Sequence, residues 1–202
     1  MNRLSIVLPA YNEEGNIAPL AAELARVAGA LPGWSTECVF VDDGSTDRTA
    51  EVARAGHAAV VSLPFNLGVG SAVRTGLRFA LEHGYDRAVV FDADGQHDAH
   101  AIDDLLAALD RGADVALASR FATGTDDYPV SRVRRAAMRF LARFVYRLTG
   151  QTFTDPTSGF RAFDARAIRL LARAYPVEYL ADTVEVLLIV SAAGFRIEEV
   201  PS

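Results

Sequence analysis

Asp92 and Asp94 stand one residue apart at the end of the apolar run Val89, Val90, Phe91, and Gly95, Gln96 and His97 follow. In an extended strand alternate side chains share a face, so both carboxylates are expected to point the same way. Two like charges held together attract a cation. Carboxylates and an amide such as that of Gln96 are hard oxygen donors, which suit Mg2+ or Mn2+, ions that keep waters and bind substrate phosphates. A plainer reading is an acidic turn leading into a helix, with Asp98 as its cap. Asp98 alone meets that need, which leaves Asp92 and Asp94 for chemistry. His97 is the one histidine beside this motif, and none of the four histidines has zinc spacing with the single cysteine.

A second acidic segment, Asp42, Asp43, Gly44, Ser45, Thr46, Asp47, follows the apolar run ending at Val41. Its carboxylates can accept from a base N–H or from ribose hydroxyls, although the same residues also make an ordinary turn and helix cap. Pro9, Ala10, Tyr11, Asn12, Glu13 and Glu14 add an aromatic ring able to stack on a base, and further acid. Gly68 and Gly70 with Gly76 lack the spacing of a dinucleotide-binding loop, so loop geometry accounts for them.

These segments need a frame that brings them together. Apolar, strand-like runs occur at 4–8, 37–41, 59–62, 88–91 and 115–119, with helical patterns at about 16–28, 45–55, 70–84 and 99–110. The alternation predicts a three-layer α/β domain with a mostly parallel sheet. In such sheets ligands bind beyond the carboxyl ends of the strands, so 9–14, 42–47, 66–70 and 92–96 are expected to line one crevice. After Arg120 the alternation stops. A polar loop at 122–130, a helix at about 131–148, an irregular segment at 150–159 and helices at 165–174 and 181–193 complete the reading.

At 202 residues the chain reads as a single domain over 1–202. No apolar run approaches the roughly 18 residues of a spanning helix, and residues 4–10 read as a first strand rather than a signal peptide, so a cytoplasmic location is expected. Cys38, alone, can form no internal disulfide. A net charge of −6 argues against nucleic acid as a partner. Between Arg132 and Arg147, however, there are six arginines and no acid. Arg135, Arg139, Arg143 and Arg147 recur every four residues, and Met138, Leu141, Phe144, Val145 and Leu148 form the other face. Such a basic amphipathic helix either lies against anionic headgroups as a peripheral membrane contact or is a solvated surface helix.

Together, PAYNEEGN at 9–16, VDDGSTD at 41–47, FNLGVGSAVRTG at 65–76, DADGQH at 92–97, SR at 119–120 and DPTSGFR at 155–161 resemble the family 2 glycosyltransferases of the GT-A type. Within that family the chain is most similar to the dolichyl and polyprenyl phosphate sugar synthases. The resemblance implies a nucleotide-sugar donor, a UDP- or GDP-hexose, with Pro9, Tyr11, Glu13, Asp42 and Asp43 in the nucleotide pocket. It implies a divalent ion, Mg2+ or Mn2+, on Asp92, Asp94 and Gln96, and places Arg120 and Arg134 at donor or acceptor phosphates.

The implied reaction is an inverting transfer of one hexose to a polyprenyl phosphate at the inner face of the membrane. A lipid phosphate is already anionic at neutral pH and needs no strong base. A saccharide hydroxyl acceptor would need one, for which Asp155, Asp182 and Glu185 are candidates. A soluble glycosyltransferase of that kind, or a non-catalytic nucleotide-sugar-binding regulator, is the alternative. Relatives continue past the segment Glu199, Val200, Pro201 into a further basic stretch, often with membrane helices, so a membrane-protein partner is a further expectation.

Overall fold

The computed structural model describes residues 1–56, 58–92, 99–119, 145–177 and 182–201. Its strands are β1 (Asn2–Ala10), β2 (Trp34–Asp42), β3 (Ala59–Ser62), β4 (Arg87–Val90), β5 (Val115–Ser119), β6 (Arg161–Asp164) and β7 (Ile197–Pro201). Its helices are α1 (Glu14–Ala30), α2 (Thr49–Ala55), α3 (Val69–Glu82), α4 (Ala101–Asp110), α5 (Ala165–Ala174) and α6 (Asp182–Ala192). The strands form one sheet in the order β3-β2-β1-β4-β6-β5-β7, parallel except for β6.

Strand periodicity divides the core between two faces. Leu4, Ile6 and Leu8 of β1 pack on one side with Ile17, Leu20 and Leu24 of α1 and Ile102 and Leu105 of α4. Val7 faces the other side, with Val73 and Leu77 of α3, Ile168 and Leu171 of α5 and Val186 of α6. The expected three-layer α/β frame is therefore present.

Two strands escaped the sequence reading. β6 opens on Arg161, a charged residue that is 1% exposed, and it inserts antiparallel between β4 and β5. β7 carries Glu198 and Glu199 at its centre, which hid its apolar pattern. Several element ends also differ. Helix α2 starts at Thr49 rather than at Ser45 or Thr46, because those two side chains are engaged elsewhere. In the predicted helix at 131–148 only 145–148 are described, and they are helical, as is residue 149. Val145 there is buried against Leu117 and Leu187. Leu148, expected on the packed face, is 57% exposed, since the helix ends just beyond it at Gly150, where φ is +71°.

Candidate active site

The strand order reverses at β1, which has β2 on one side and β4 on the other. Loops leaving those two strands diverge there and open a crevice. The register aligns Ala10 with Asp42 and Asp42 with Ser62, so the ends of three strands share one edge. An open cleft of about 640 Å³ lies at this edge. Pro9, Tyr11 and Glu13 line it from the end of β1, Asp43 from β2, Asn66 and Gly68 from the β3–α3 loop, and Asp92 from beyond β4. All four predicted segments thus contribute to one crevice.

Reciprocal hydrogen bonds stitch the first two loops together. The N–H groups of Asn12, Glu13 and Glu14 donate to Ser45 Oγ (3.0 Å), Thr49 Oγ1 (2.8 Å) and Asp47 Oδ2 (3.2 Å). In return the N–H groups of Thr46 and Arg48 donate to Asn12 Oδ1 (2.8 Å) and Glu14 Oε2 (3.0 Å). Asn12 sits at φ +55°, a left-handed conformation that its short amide side chain tolerates. Burial pushes the Asp47 carboxyl up, but the Thr49 hydroxyl and the backbone N–H groups of Thr49 and Glu14 together outweigh it and hold the carboxyl below the ordinary value. In the sequence these segments read as turns, caps or nucleotide contacts, which does not reveal that they stitch the two loops together.

The paired acids after β2 have different tasks. Asp43 is 3% exposed, and its two oxygens accept the N–H groups of Leu67 and Gly68, each at 2.8 Å. It lines the cleft and moors the loop that opens α3. Asp42 is not among the described residues that line the cleft. Its Oδ1 accepts the Ser45 N–H at 3.0 Å, the turn role that competes with nucleotide binding. Gly44, between Asp43 and Ser45, has φ +69°, and a Cβ there would stand 2.4 Å from the backbone of Phe65. Only glycine fits that approach. Tyr11, 44% exposed, stands at the rim with its ring accessible, and Glu13 accepts the Asn16 amide at 2.6 Å.

Asp92 forms part of the wall between this cleft and a second one of about 450 Å³, lined also by Val73, Thr157, Gly159, Tyr175 and Thr183. A Cβ on Gly159 would meet Asp92 Oδ2 at 2.9 Å, so the 155–161 segment approaches this carboxylate closely. Asp94, Gln96, Arg120 and Arg134 lie outside the described residues, as do Arg135, Arg139 and Arg143.

Asp155 is fully buried and lines neither cleft. Its Oδ1 accepts the Thr157 hydroxyl at 2.9 Å, and its carbonyl accepts the Ser158 N–H at 3.2 Å. It organises the turn after Thr154. Glu185 is exposed on α6 and lines neither cleft, and the side chain of Asp182 is outside the described residues.

Residues 5–171 match the glycosyl transferase family 2 model. The chain is 33% identical over 209 residues to undecaprenyl-phosphate mannosyltransferase of Micrococcus luteus, covering 98% of this chain and 82% of that protein. It is 32% identical over 166 residues to dolichol-phosphate mannosyltransferase of Pyrococcus furiosus, where the match covers 79% of this chain but 46% of the relative. In fold it is similar to glucosyl-3-phosphoglycerate synthase of Mycobacterium tuberculosis, with a TM-score of 0.71 at 22% identity over 99% of this chain and 69% of that one. No helix among the described residues is long and apolar enough to cross a membrane. On the match over 5–171, carried by a GT-A frame whose loops meet in one cleft, the chain belongs to glycosyl transferase family 2.

Proposed function

We propose that this glycosyltransferase moves one hexose, with inversion, from a UDP- or GDP-sugar to a polyprenyl phosphate and uses a divalent metal. The observation that carries the reading is the cleft in which an accessible Tyr11 ring, the Asp43 loop and Asp92 converge at the reversal of strand order. Naming of the relatives as undecaprenyl- and dolichol-phosphate mannosyltransferases supports the acceptor class. The mycobacterial structure, solved with Mg2+ and uridine diphosphate, supports the donor and the ion.

Asp92 is half-buried, offers hard oxygens to both clefts, and faces a glycine that leaves room beside it. That fits a divalent cation. Among the described residues no group of three or more acids or histidines converges as an ion site. Asp94 and Gln96 would complete the donor set with Asp92. When bound, the ion supplies charge neutralisation for the departing diphosphate.

Tyr11 stacks on the base at the rim, and the loop moored by Asp43 closes the nucleotide side. Arg120 and Arg134 hold phosphate oxygens of donor or acceptor. A phosphate monoester with a second pKa of about 6 attacks without surrendering a proton to the protein. The six arginines between 132 and 147 bring the cleft to the anionic cytoplasmic surface of the membrane.

Incubation with a panel of nucleotide sugars, Mg2+ or Mn2+ and a short polyprenyl phosphate, read by mass spectrometry, tests the reading. A hexosyl polyprenyl phosphate is expected from one donor. Transfer to a saccharide hydroxyl with the lipid phosphate left unreacted would overturn it.

A further inference from the structure

The turn that approaches Asp92 is held by its backbone from two sides. Glu199 of β7 accepts the Thr154 N–H at 2.9 Å with each carboxylate oxygen, and its Oε1 also accepts the Asp155 N–H at 3.1 Å. From the other side the buried Arg161 donates through Nε to Ser158 O at 2.9 Å and through Nη2 to Pro156 O at 3.3 Å. An anion thus grips the amides where the turn begins and a cation grips its carbonyls. The hydroxyls of Thr154 and Ser119, 2.6 Å apart, add a link to β5.

Between these two grips lie Thr157 and Gly159, which line the second cleft with Asp92. The register pairs Glu199 with Leu117 of β5, so its main chain is fixed by the sheet. Charge-assisted bonds to backbone N–H groups are about twice as strong as neutral ones. Residue 159 is glycine, and a Cβ there would stand 2.9 Å from Asp92 Oδ2, so the turn backs onto this carboxylate with no side chain between them. The position of the turn therefore sets the space in which the carboxylate stands.

We propose that Glu199 is a positioning residue for transfer: by holding the amides of Thr154 and Asp155 it sets where Thr157 and Gly159 stand against Asp92. This rests on the reading of Asp92 as a donor-side carboxylate and adds to it a residue about 100 positions away in sequence. Misplacement of a reacting group by about 1 Å costs up to a hundredfold in rate. Glu199 touches neither cleft among the described residues that line them, so its effect reaches the donor only through the turn and Asp92.

Glu199→Ala and Glu199→Gln are compared with wild type by steady-state kinetics and by hydrogen exchange. The alanine variant is expected to lose about tenfold or more in kcat/KM for the donor, together with part of the Mn2+-dependent tightening of nucleotide binding. Glutamine keeps one carbonyl oxygen as acceptor and is expected to recover most of kcat/KM. Exchange at 154–159 should accelerate in the alanine variant while 115–119 stay protected. An unchanged kcat/KM for the donor, or a loss accompanied by faster exchange throughout the sheet, would overturn the proposal. Should wild type transfer no hexose from any donor, the reading of the function fails by itself. The exchange measurement then decides on Glu199, because unaltered protection at 154–159 in the alanine variant rejects it and selective loss there sustains it.

Discussion

Gly159 faces Asp92 so closely that a methyl group on residue 159 would stand 2.9 Å from the carboxylate oxygen Oδ2. Such contact forces the carboxylate to turn or the segment to retreat. Gly159→Ala is expected to lower turnover by about tenfold or more, with circular dichroism and the melting temperature close to wild type. Wild-type turnover in this variant would show that the approach has no bearing on chemistry.

Asp43 holds the β3–α3 loop through two backbone amides, one of them on the buried Gly68. Asp43→Ala leaves both donors without that acceptor, and urea denaturation should show a loss of about 2–3 kcal/mol. Asp43→Asn keeps one carbonyl oxygen and should lose less. Equal stability of all three proteins would assign the mooring of the loop elsewhere.

Helix α3 lies directly on β1 at Gly76, where a Cβ would come within 2.2 Å of Val7 Cγ1. Val7 is fully buried and its backbone is fixed at the centre of the sheet, so it cannot yield. Gly76→Ala should destabilise the fold by about 1–3 kcal/mol through overpacking. Pairing it with Val7→Ala should restore part of the loss, a coupling that a double-mutant cycle reads out.

Burial, assisted by the charge of Glu37, raises the Cys38 thiol from the ordinary 9.0 to about 12. The folded chain therefore keeps this proton where the unfolded chain releases it. The associated stability is complete below pH 9.0 and is lost as the pH rises from 9.0 toward 12. Reaction with a thiol reagent at pH 9 should be slow in the folded protein and fast in urea. Fast labelling without urea would contradict the packing of β2.

The parallel part of the sheet was legible because β1, β4 and the second half of β2 are largely buried and read as apolar runs. The crevice was legible for the same reason, since each acidic or glycine-rich segment directly follows such a run. β6 and β7 were not. Arg161 and Glu199 are charged residues in strands, and they are there because each grips a backbone turn that sequence patterning does not reveal. The same hidden contacts explain Asp155, whose residue type and setting read as well for a base as for a turn. They also explain Asp42 and Asp43, adjacent and chemically identical, of which one lines the cleft and the other closes a turn.

Calorimetric titration of uridine diphosphate and guanosine diphosphate into wild type and Asp92→Asn, each with Mn2+ and with chelator, bears most directly on Asp92 as a carboxylate of the donor-side ion. For wild type, one nucleotide is expected to bind at least about tenfold more tightly with Mn2+ than without, and Asp92→Asn should abolish that difference while melting as wild type does. Equal affinity with and without Mn2+, or an undiminished Mn2+ effect in Asp92→Asn, would contradict the account.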